Sequence, residues 1–86
     1  MRVLLVHCHP VPESFSHALR DAVLAGLERR GHAVDLLDLY AEGFRPALST
    51  EERRRYNDPP ANLAGIEDHV ALLKAAEALV FVHPTW

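Results

Sequence analysis

Two uninterrupted apolar runs, at residues 3–6 and 78–82, constrain the fold of this chain more than any other feature. Neither run alternates with polar residues, and both are short for a helix. A continuous apolar run of this length is typical of a strand buried on both faces of a parallel sheet. Parallel strands are joined by long crossovers, usually through helices, so the two runs predict an α/β fold.

A well-marked helix follows the first run. From Phe15 onward, apolar residues recur at three- and four-residue spacing. Ser14 or Ser16 can supply the N-cap oxygen, and Gly31 fits the left-handed position that follows many helices. Residues 33–39 then predict a second strand, whose two aspartates make it more edge-like than the first.

A long connection, from about residue 40 to residue 62, separates the second strand from the second helix. Within it, Ser49 and Glu52 stand at capping-box spacing and predict one short helical turn. The apolar pattern predicts the second helix over residues 63–76, with Asn62 as its cap. The last apolar run follows as a third strand.

The order strand, helix, strand, long loop, helix, strand predicts a three-layer α/β/α fold with one helix on each face of the sheet. The first strand is the most apolar, so we expect it at the centre of a parallel sheet of order 2-1-3. This is the start of the flavodoxin-like order 2-1-3-4-5, and strands 4 and 5 are expected to be missing. Ligands bind such sheets at the carboxyl edge where strand order reverses, here between the first and third strands.

Composition argues against several classes of partner. The chain has 86 residues, enough for one domain, and its net charge of -3 gives no reason to expect nucleic acid or an anionic membrane. No apolar run is long enough to span a bilayer. One cysteine cannot form an internal disulfide, so we expect a cytoplasmic protein.

The loop after the first strand is the better candidate for a binding site. It leads into a helix N-terminus, where unpaired backbone N–H groups favour an anion, and His9, Ser14 and Ser16 add donors. We therefore expect a phosphate group there, the alternative being that the serines only cap the helix. None of the four glycines lies in this loop, which disfavours the glycine-rich phosphate loops of dinucleotide- and ATP-binding folds.

The run His7-Cys8-His9 suggests a metal site, because alternation along a strand end puts His7 and His9 on one side. A structural zinc site needs about four ligands, and no second cluster has matching spacing, although His83 could approach from the third strand. We therefore expect no metal, and we expect Cys8 to be a small buried residue. The remaining histidines are expected to be exposed helix or turn residues: His17, His32 and His69.

Three segments carry a family resemblance: RVLLVHCHPVPESFSHAL, GHAVDLLDLYAEGFRPALS and EALVFVHPTW. In this order they resemble the flavodoxin-like NAD(P)H:quinone oxidoreductases, the DT-diaphorase group. The resemblance covers essentially the whole chain. Ser16 stands where many members have asparagine, and Cys8 stands where many have alanine.

The resemblance implies a flavin, FAD or FMN, held without a covalent bond. The resemblance, together with the anion site expected at the helix N-terminus, implies a set of residues that contact the cofactor's phosphates and adenosine side: His9, Ser14, Phe15, Ser16 and Ala18. For Phe15 the alternative is simple helix packing. The resemblance also implies that the loop around the isoalloxazine ring begins with Pro84, Thr85 and Trp86.

The implied activity is flavin-mediated two-electron hydride transfer from NAD(P)H to a quinone, in a homodimer. Family members are longer, so residues 1–86 are expected to be a fragment, the N-terminal half of a flavin-binding domain, inactive alone and without an assignable catalytic residue. Two alternatives stay open. One is an azoreductase or nitroreductase on the same scaffold, and the other is a truncated, non-catalytic module that binds a partner.

Overall fold

The fold alternates strands and helices along the chain. The computed structural model describes residues 1–84. In chain order its elements are β1 (Arg2–His7), α1 (Phe15–Arg29), β2 (Ala33–Asp38), α2 (Thr50–Arg54), a 3₁₀ helix (Ala61–Leu63), α3 (Glu67–Ala75) and β3 (Ala78–Val82).

The three strands form one parallel sheet in the order β2-β1-β3. Leu5 of β1 is paired with Leu36 on one side and with Val80 on the other. The predicted α/β class and the order 2-1-3 are therefore confirmed. His7, the last residue of β1, is paired with Asp38 and Val82, so all three strands end at the same edge.

The core is concentrated on β1, because this strand has a neighbour at each edge and a helix over each face. Val3, Leu4 and Leu5 are 2%, 1% and 0% exposed. Burying a side chain of this size contributes about 1.5–3 kcal/mol to stability. The strong apolar character of the first run thus reflects its central place in the sheet.

Alternation along the strands puts the two longer helices on opposite faces. Leu4 and Val6 line an apolar groove together with Val70 of α3. His7, which has the other parity, lies against His17 of α1, with ring centroids 4.4 Å apart. The predicted arrangement of one helix on each face is therefore present.

The residues at both ends of α1 play the roles that the sequence predicts for them. Ser14 is the N-cap, and its hydroxyl accepts a hydrogen bond from the backbone N–H of His17. Gly31 follows the helix at φ +81°, in the left-handed region, and its N–H donates to the Glu28 carbonyl at 3.0 Å. A residue with a Cβ would be strained at this position.

The second predicted helix begins later than its apolar pattern indicates. Gly65, at φ +86°, interrupts the chain between the 3₁₀ helix and α3, and its N–H donates to the Glu67 carboxylate. The prediction of Asn62 as helix cap is therefore wrong, because its amide instead donates to the Tyr56 carbonyl. The short helical turn predicted at Ser49 is confirmed as α2.

β3 is less buried than its apolar sequence indicates. Its side chains alternate in exposure, and Leu79 and Phe81 are 47% and 60% exposed on one face. Within residues 1–84, β3 pairs with β1 alone, so its outer edge has no strand beside it. Leu73 of α3 is also exposed, which makes this corner of the molecule apolar.

Candidate functional site

The carboxyl edge of the sheet brings together the two segments that the strand order singled out. The backbone N–H of Cys8, just after β1, donates to the carbonyl of Val82 at the end of β3, at 3.3 Å. This hydrogen bond ties the loop after β1 to the chain leaving β3. The ends of β1 and β3, from which the two predicted segments leave, therefore lie side by side.

The N-terminus of α1 opens beside this junction. Ser14 satisfies the backbone N–H of His17, whereas the N–H groups of Phe15 and Ser16 donate to no residue of the described chain. Ser16 is half-buried, and its hydroxyl has no hydrogen-bond partner within residues 1–84. Free N–H groups at the positive end of a helix are suited to an anion.

Phe15 does not pack into the core. Its side chain is 81% exposed at the first turn of α1, so the alternative of simple helix packing is wrong. Ala18, one turn further on, is also exposed. Both residues therefore present surface at the carboxyl edge of the sheet.

The remaining predicted site residues flank the same edge. His9 is half-buried in the loop after β1, and its Nδ1 accepts a hydrogen bond from the Val11 N–H at 3.0 Å. Pro84 is half-buried two residues after β3. Thr85 and Trp86 lie outside the described residues.

A buried histidine lies under this edge. His7 is 0% exposed, and neither of its ring nitrogens has a hydrogen-bond partner among the described residues. Its Nδ1 stands 3.7 Å from Oδ2 of Asp38, beyond hydrogen-bond range. The Asp38 Oδ2 is also approached by Nη1 of Arg20 at 3.3 Å.

Burial lowers the pKa of His7, with His17 and Arg20 adding to the effect and Asp38 opposing it. The cause is physical: a charged imidazolium loses its hydration when it is removed from water. The lowered pKa favours the neutral ring, which has a lone pair on one nitrogen.

Several sequence-based expectations about single residues are corrected here. His17 is half-buried because it packs on His7, and His69 is half-buried because it pairs with Glu42 and lies against Phe44. His32 is half-buried between α1 and β2, and Cys8 is half-buried where burial was expected.

The sequence does not predict that His7, His17 and Asp38 lie together. Part of this grouping follows from the predicted strands. His7 and Asp38 are the last residues of two neighbouring parallel strands, and residues at the same end of such strands lie side by side. His17 could not be added without knowing which face α1 covers.

Comparison with known proteins assigns a family. Residues 1–86 match the sequence model of a family described by its flavodoxin-like fold. The chain belongs to this family. The ribosyldihydronicotinamide dehydrogenase (quinone) of Mus musculus is 33% identical over 76 residues, which is 87% of this chain and 33% of that protein.

Solved structures give the same result. The NAD(P)H:quinone oxidoreductase from Methanothermobacter marburgensis superposes with a TM-score of 0.85 at 35% identity, covering 100% of this chain and 45% of that one. Smu.1420 from Streptococcus mutans UA159 gives a TM-score of 0.84 at 37% identity, with the same coverage. These matches confirm the family resemblance that the three sequence segments indicate.

The chain spans about a third of the length of the curated relatives that it matches. It spans 45% of the solved structures. Among residues 1–84, no helix has both the length and the apolar character that crossing a bilayer requires.

Proposed function

We propose that this chain forms the phosphate-binding part of a flavin-dependent NAD(P)H:quinone oxidoreductase. The observation that carries the proposal is the junction at the carboxyl edge. There the unpaired N–H groups of Phe15 and Ser16 lie at the N-terminus of α1, and the loop that leads into this helix is hydrogen-bonded at Cys8 to the end of β3. The names of the relatives from mouse and from Methanothermobacter marburgensis, both quinone-reducing enzymes, support the same activity.

The residues present fit a flavin's phosphate side. The N–H groups of Phe15 and Ser16 would donate to phosphate oxygens, and the Ser16 hydroxyl would add a third donor. His9 lies in the loop between β1 and α1, and we propose that it contacts the same phosphate. Ser14 would act on the phosphate indirectly, because its hydroxyl is engaged in fixing the first turn of α1.

Apolar surface would hold the rest of the cofactor. Phe15 and Ala18 present exposed carbon at the edge, which suits the adenosine side. In the proposal, Pro84, Thr85 and Trp86 begin the loop around the isoalloxazine ring. A bound flavin would supply the redox chemistry, a two-electron transfer from NAD(P)H to a quinone.

The activity test uses the protein expressed from its complete natural coding sequence. NAD(P)H oxidation is followed after adding FAD or FMN, with a simple quinone as acceptor and with an azo dye and a nitroaromatic beside it. Quinone-dependent, flavin-dependent oxidation is expected. Preference for the azo or nitro acceptor would redirect the proposal, and the absence of both turnover and flavin would favour a non-catalytic, partner-binding module.

The 86-residue chain is measured in the same assay. We expect it to show no turnover and to retain less than stoichiometric flavin after gel filtration, because it provides only one side of the proposed site. A flavin absorbance band at full occupancy would contradict this expectation. A homodimer and a cytoplasmic location are part of the same proposal, and sedimentation and fractionation test them.

A charge placed at Ser16 tests the binding site itself. Ser16→Asp in the complete protein is expected to weaken flavin binding about tenfold or more, because a carboxylate beside the phosphate adds like-charge repulsion. The matched control is Ala25→Asp, an exposed position about 13 Å further along α1. That distance exceeds a Debye length of about 8–10 Å in ordinary buffers, so the control should bind flavin normally. Equal affinities in a fluorescence titration would remove Ser16 from the site.

A further inference from the structure

We propose that His7, His17 and Asp38 form a binding site for a divalent transition-metal ion, with Zn²⁺ as the ion that suits them. One ring nitrogen of each histidine and one carboxylate oxygen of Asp38 lie within 4.8 Å of one another. The three residues come from three elements: the end of β1, the first turn of α1 and the end of β2. The proposal is independent of the flavin site and of the proposed activity.

The donor set is chemically suited to zinc. Two imidazoles and one carboxylate are a familiar set of three protein ligands for Zn²⁺, with a water completing a tetrahedron. Ligand atoms about 2.0–2.1 Å from a tetrahedral ion are about 3.3 Å apart. The 3.7 Å between Nδ1 of His7 and Oδ2 of Asp38 is close to that spacing.

The strongest observation is the condition of His7. This side chain is 0% exposed, and both of its ring nitrogens lack a hydrogen-bond partner among the described residues. A buried polar group left unpaired costs about 1–3 kcal/mol. A metal ion between His7 and Asp38 would satisfy one of these nitrogens, which gives the buried imidazole a physical reason to be there.

Neighbouring groups already hold the other two ligands in place. Nδ1 of His17 lies 3.1 Å from the Ser14 hydroxyl, and Oδ1 of Asp38 accepts the backbone N–H of Ala41 at 3.1 Å. Hydrogen bonds of this kind orient metal ligands and fix the tautomer of an imidazole. The second oxygen of Asp38 therefore faces His7.

Arg20 occupies the position where it would compete with the ion. Its Nη1 lies 3.3 Å from Oδ2 of Asp38, the oxygen that the ion would use. Its Nη2 and Nε also bond Asp21, at 2.9 Å and 3.0 Å. On metal binding, Arg20 would keep its bonds to Asp21 and release Asp38.

This proposal differs from the expectation of no metal, because the three residues are far apart in the sequence and meet only in the folded chain. The sequence pattern groups histidines that are neighbours along the chain, at positions 7 and 9, with His83 as a further candidate. In the structure His83 is exposed, with its Nδ1 at 2.9 Å from the Pro84 carbonyl oxygen. The residues that meet are instead brought together by parallel strand register and by the face that α1 covers.

The test titrates the purified protein with Co²⁺, whose visible absorption reports coordination geometry, and then displaces it with Zn²⁺. One Co²⁺ per chain with the bands of a tetrahedral site is expected, and His17→Ala or Asp38→Asn should weaken binding at least tenfold. Asp38→Asn keeps the size of the side chain and the bond to Ala41. The matched control is His32→Ala, which removes an imidazole at the opposite edge of the sheet and should leave binding unchanged.

A second variant keeps the proposal falsifiable if a ligand variant does not fold, as judged by circular dichroism. Arg20→Gln leaves all three ligands in place and removes the competing cation, so it should tighten binding several-fold. Equal or weaker binding by Arg20→Gln would overturn the proposal. So would the absence of tetrahedral bands in the unmodified protein, or binding that His17→Ala, Asp38→Asn and His32→Ala leave alike, which would mean an adventitious ion only.

Discussion

The Ser14 hydroxyl contacts both the backbone and the ring of His17. The oxygen accepts the backbone N–H of His17 at 3.2 Å and lies 3.1 Å from the ring Nδ1 of the same residue. It therefore fixes both the start of α1 and the orientation of an imidazole that packs on buried His7. An N-cap in this position holds the first turn of α1 in place at the carboxyl edge of the sheet.

Replacing Ser14 with alanine should lower the free energy of unfolding by about 1 kcal/mol, since the N3 backbone N–H loses its partner. Urea denaturation followed by circular dichroism measures the change. Ser16→Ala is the matched control, because the Ser16 hydroxyl has no hydrogen-bond partner in the described chain. If both variants lose the same stability, Ser14 is not acting as the cap.

At the residue scale, the sequence predicts what local chemistry decides. Ser14 as cap and Gly31 as the left-handed residue both follow from rules that span four residues. The burial of His17 does not follow from such rules, since it depends on a strand ten residues earlier and on which face α1 covers. The choice between helix packing and exposure for Phe15, which the sequence leaves open, depends on the same long-range contacts, and the structure shows exposure.

Among the elements, α2 is the clearest case of a helix specified by its ends. The Ser49 hydroxyl accepts the Glu52 N–H, and the Glu52 carboxylate accepts the Ser49 N–H, each at 3.1 Å. These hydrogen bonds from Ser49 lower the pKa of Glu52. The helix has five residues and buries none of them, so capping matters more here than packing.

The capping box makes α2 sensitive to acid. Because the pKa of Glu52 is lower in the folded chain than in the unfolded one, its contribution is present above the unfolded value of about 4.3 and is lost as the pH falls through the lowered value. An NMR titration of the Glu52 carboxyl should give a midpoint below that of glutamate in an unfolded chain. Ser49→Ala should move the midpoint back up, and an unchanged midpoint would show that the capping box does not form.

The elements also show where pattern reading fails. Apolar spacing predicts a single helix over residues 63–76, yet Gly65 adopts a positive φ and divides it. The spacing of apolar residues indicates which face of a segment is buried. A glycine turn within the segment leaves that spacing unchanged, so the spacing does not reveal the turn. The strands are predicted more accurately, because continuous apolar runs between proline- and glycine-containing loops leave few alternatives.

For the whole molecule, the main feature is the uneven cover of the sheet. β1 is enclosed, whereas Leu79 and Phe81 of β3 and Leu73 of α3 expose apolar carbon at one corner. Exposed apolar surface beside an unpaired strand edge promotes association with other chains. We expect the 86-residue chain to self-associate through this corner.

Phe81→Lys should reduce that self-association, because it puts a charge on the exposed face of an edge strand. Sedimentation velocity over a range of concentrations measures the effect. Tyr56→Lys is the matched control, since Tyr56 is also 60% exposed but lies in the long connection. If the two variants and the unmodified chain sediment alike, this corner is not the surface through which chains associate.

The pairing of Val3 with Ala78 has a consequence for synthesis on the ribosome. The strand at the centre of the sheet emerges before both of its partners, and Ala78 is translated 75 residues after Val3, which takes about 4–15 seconds at ordinary elongation rates. During that interval the most apolar segment of the chain has one edge unpaired. That edge of nascent β1 is therefore open to association with other chains until β3 leaves the exit tunnel.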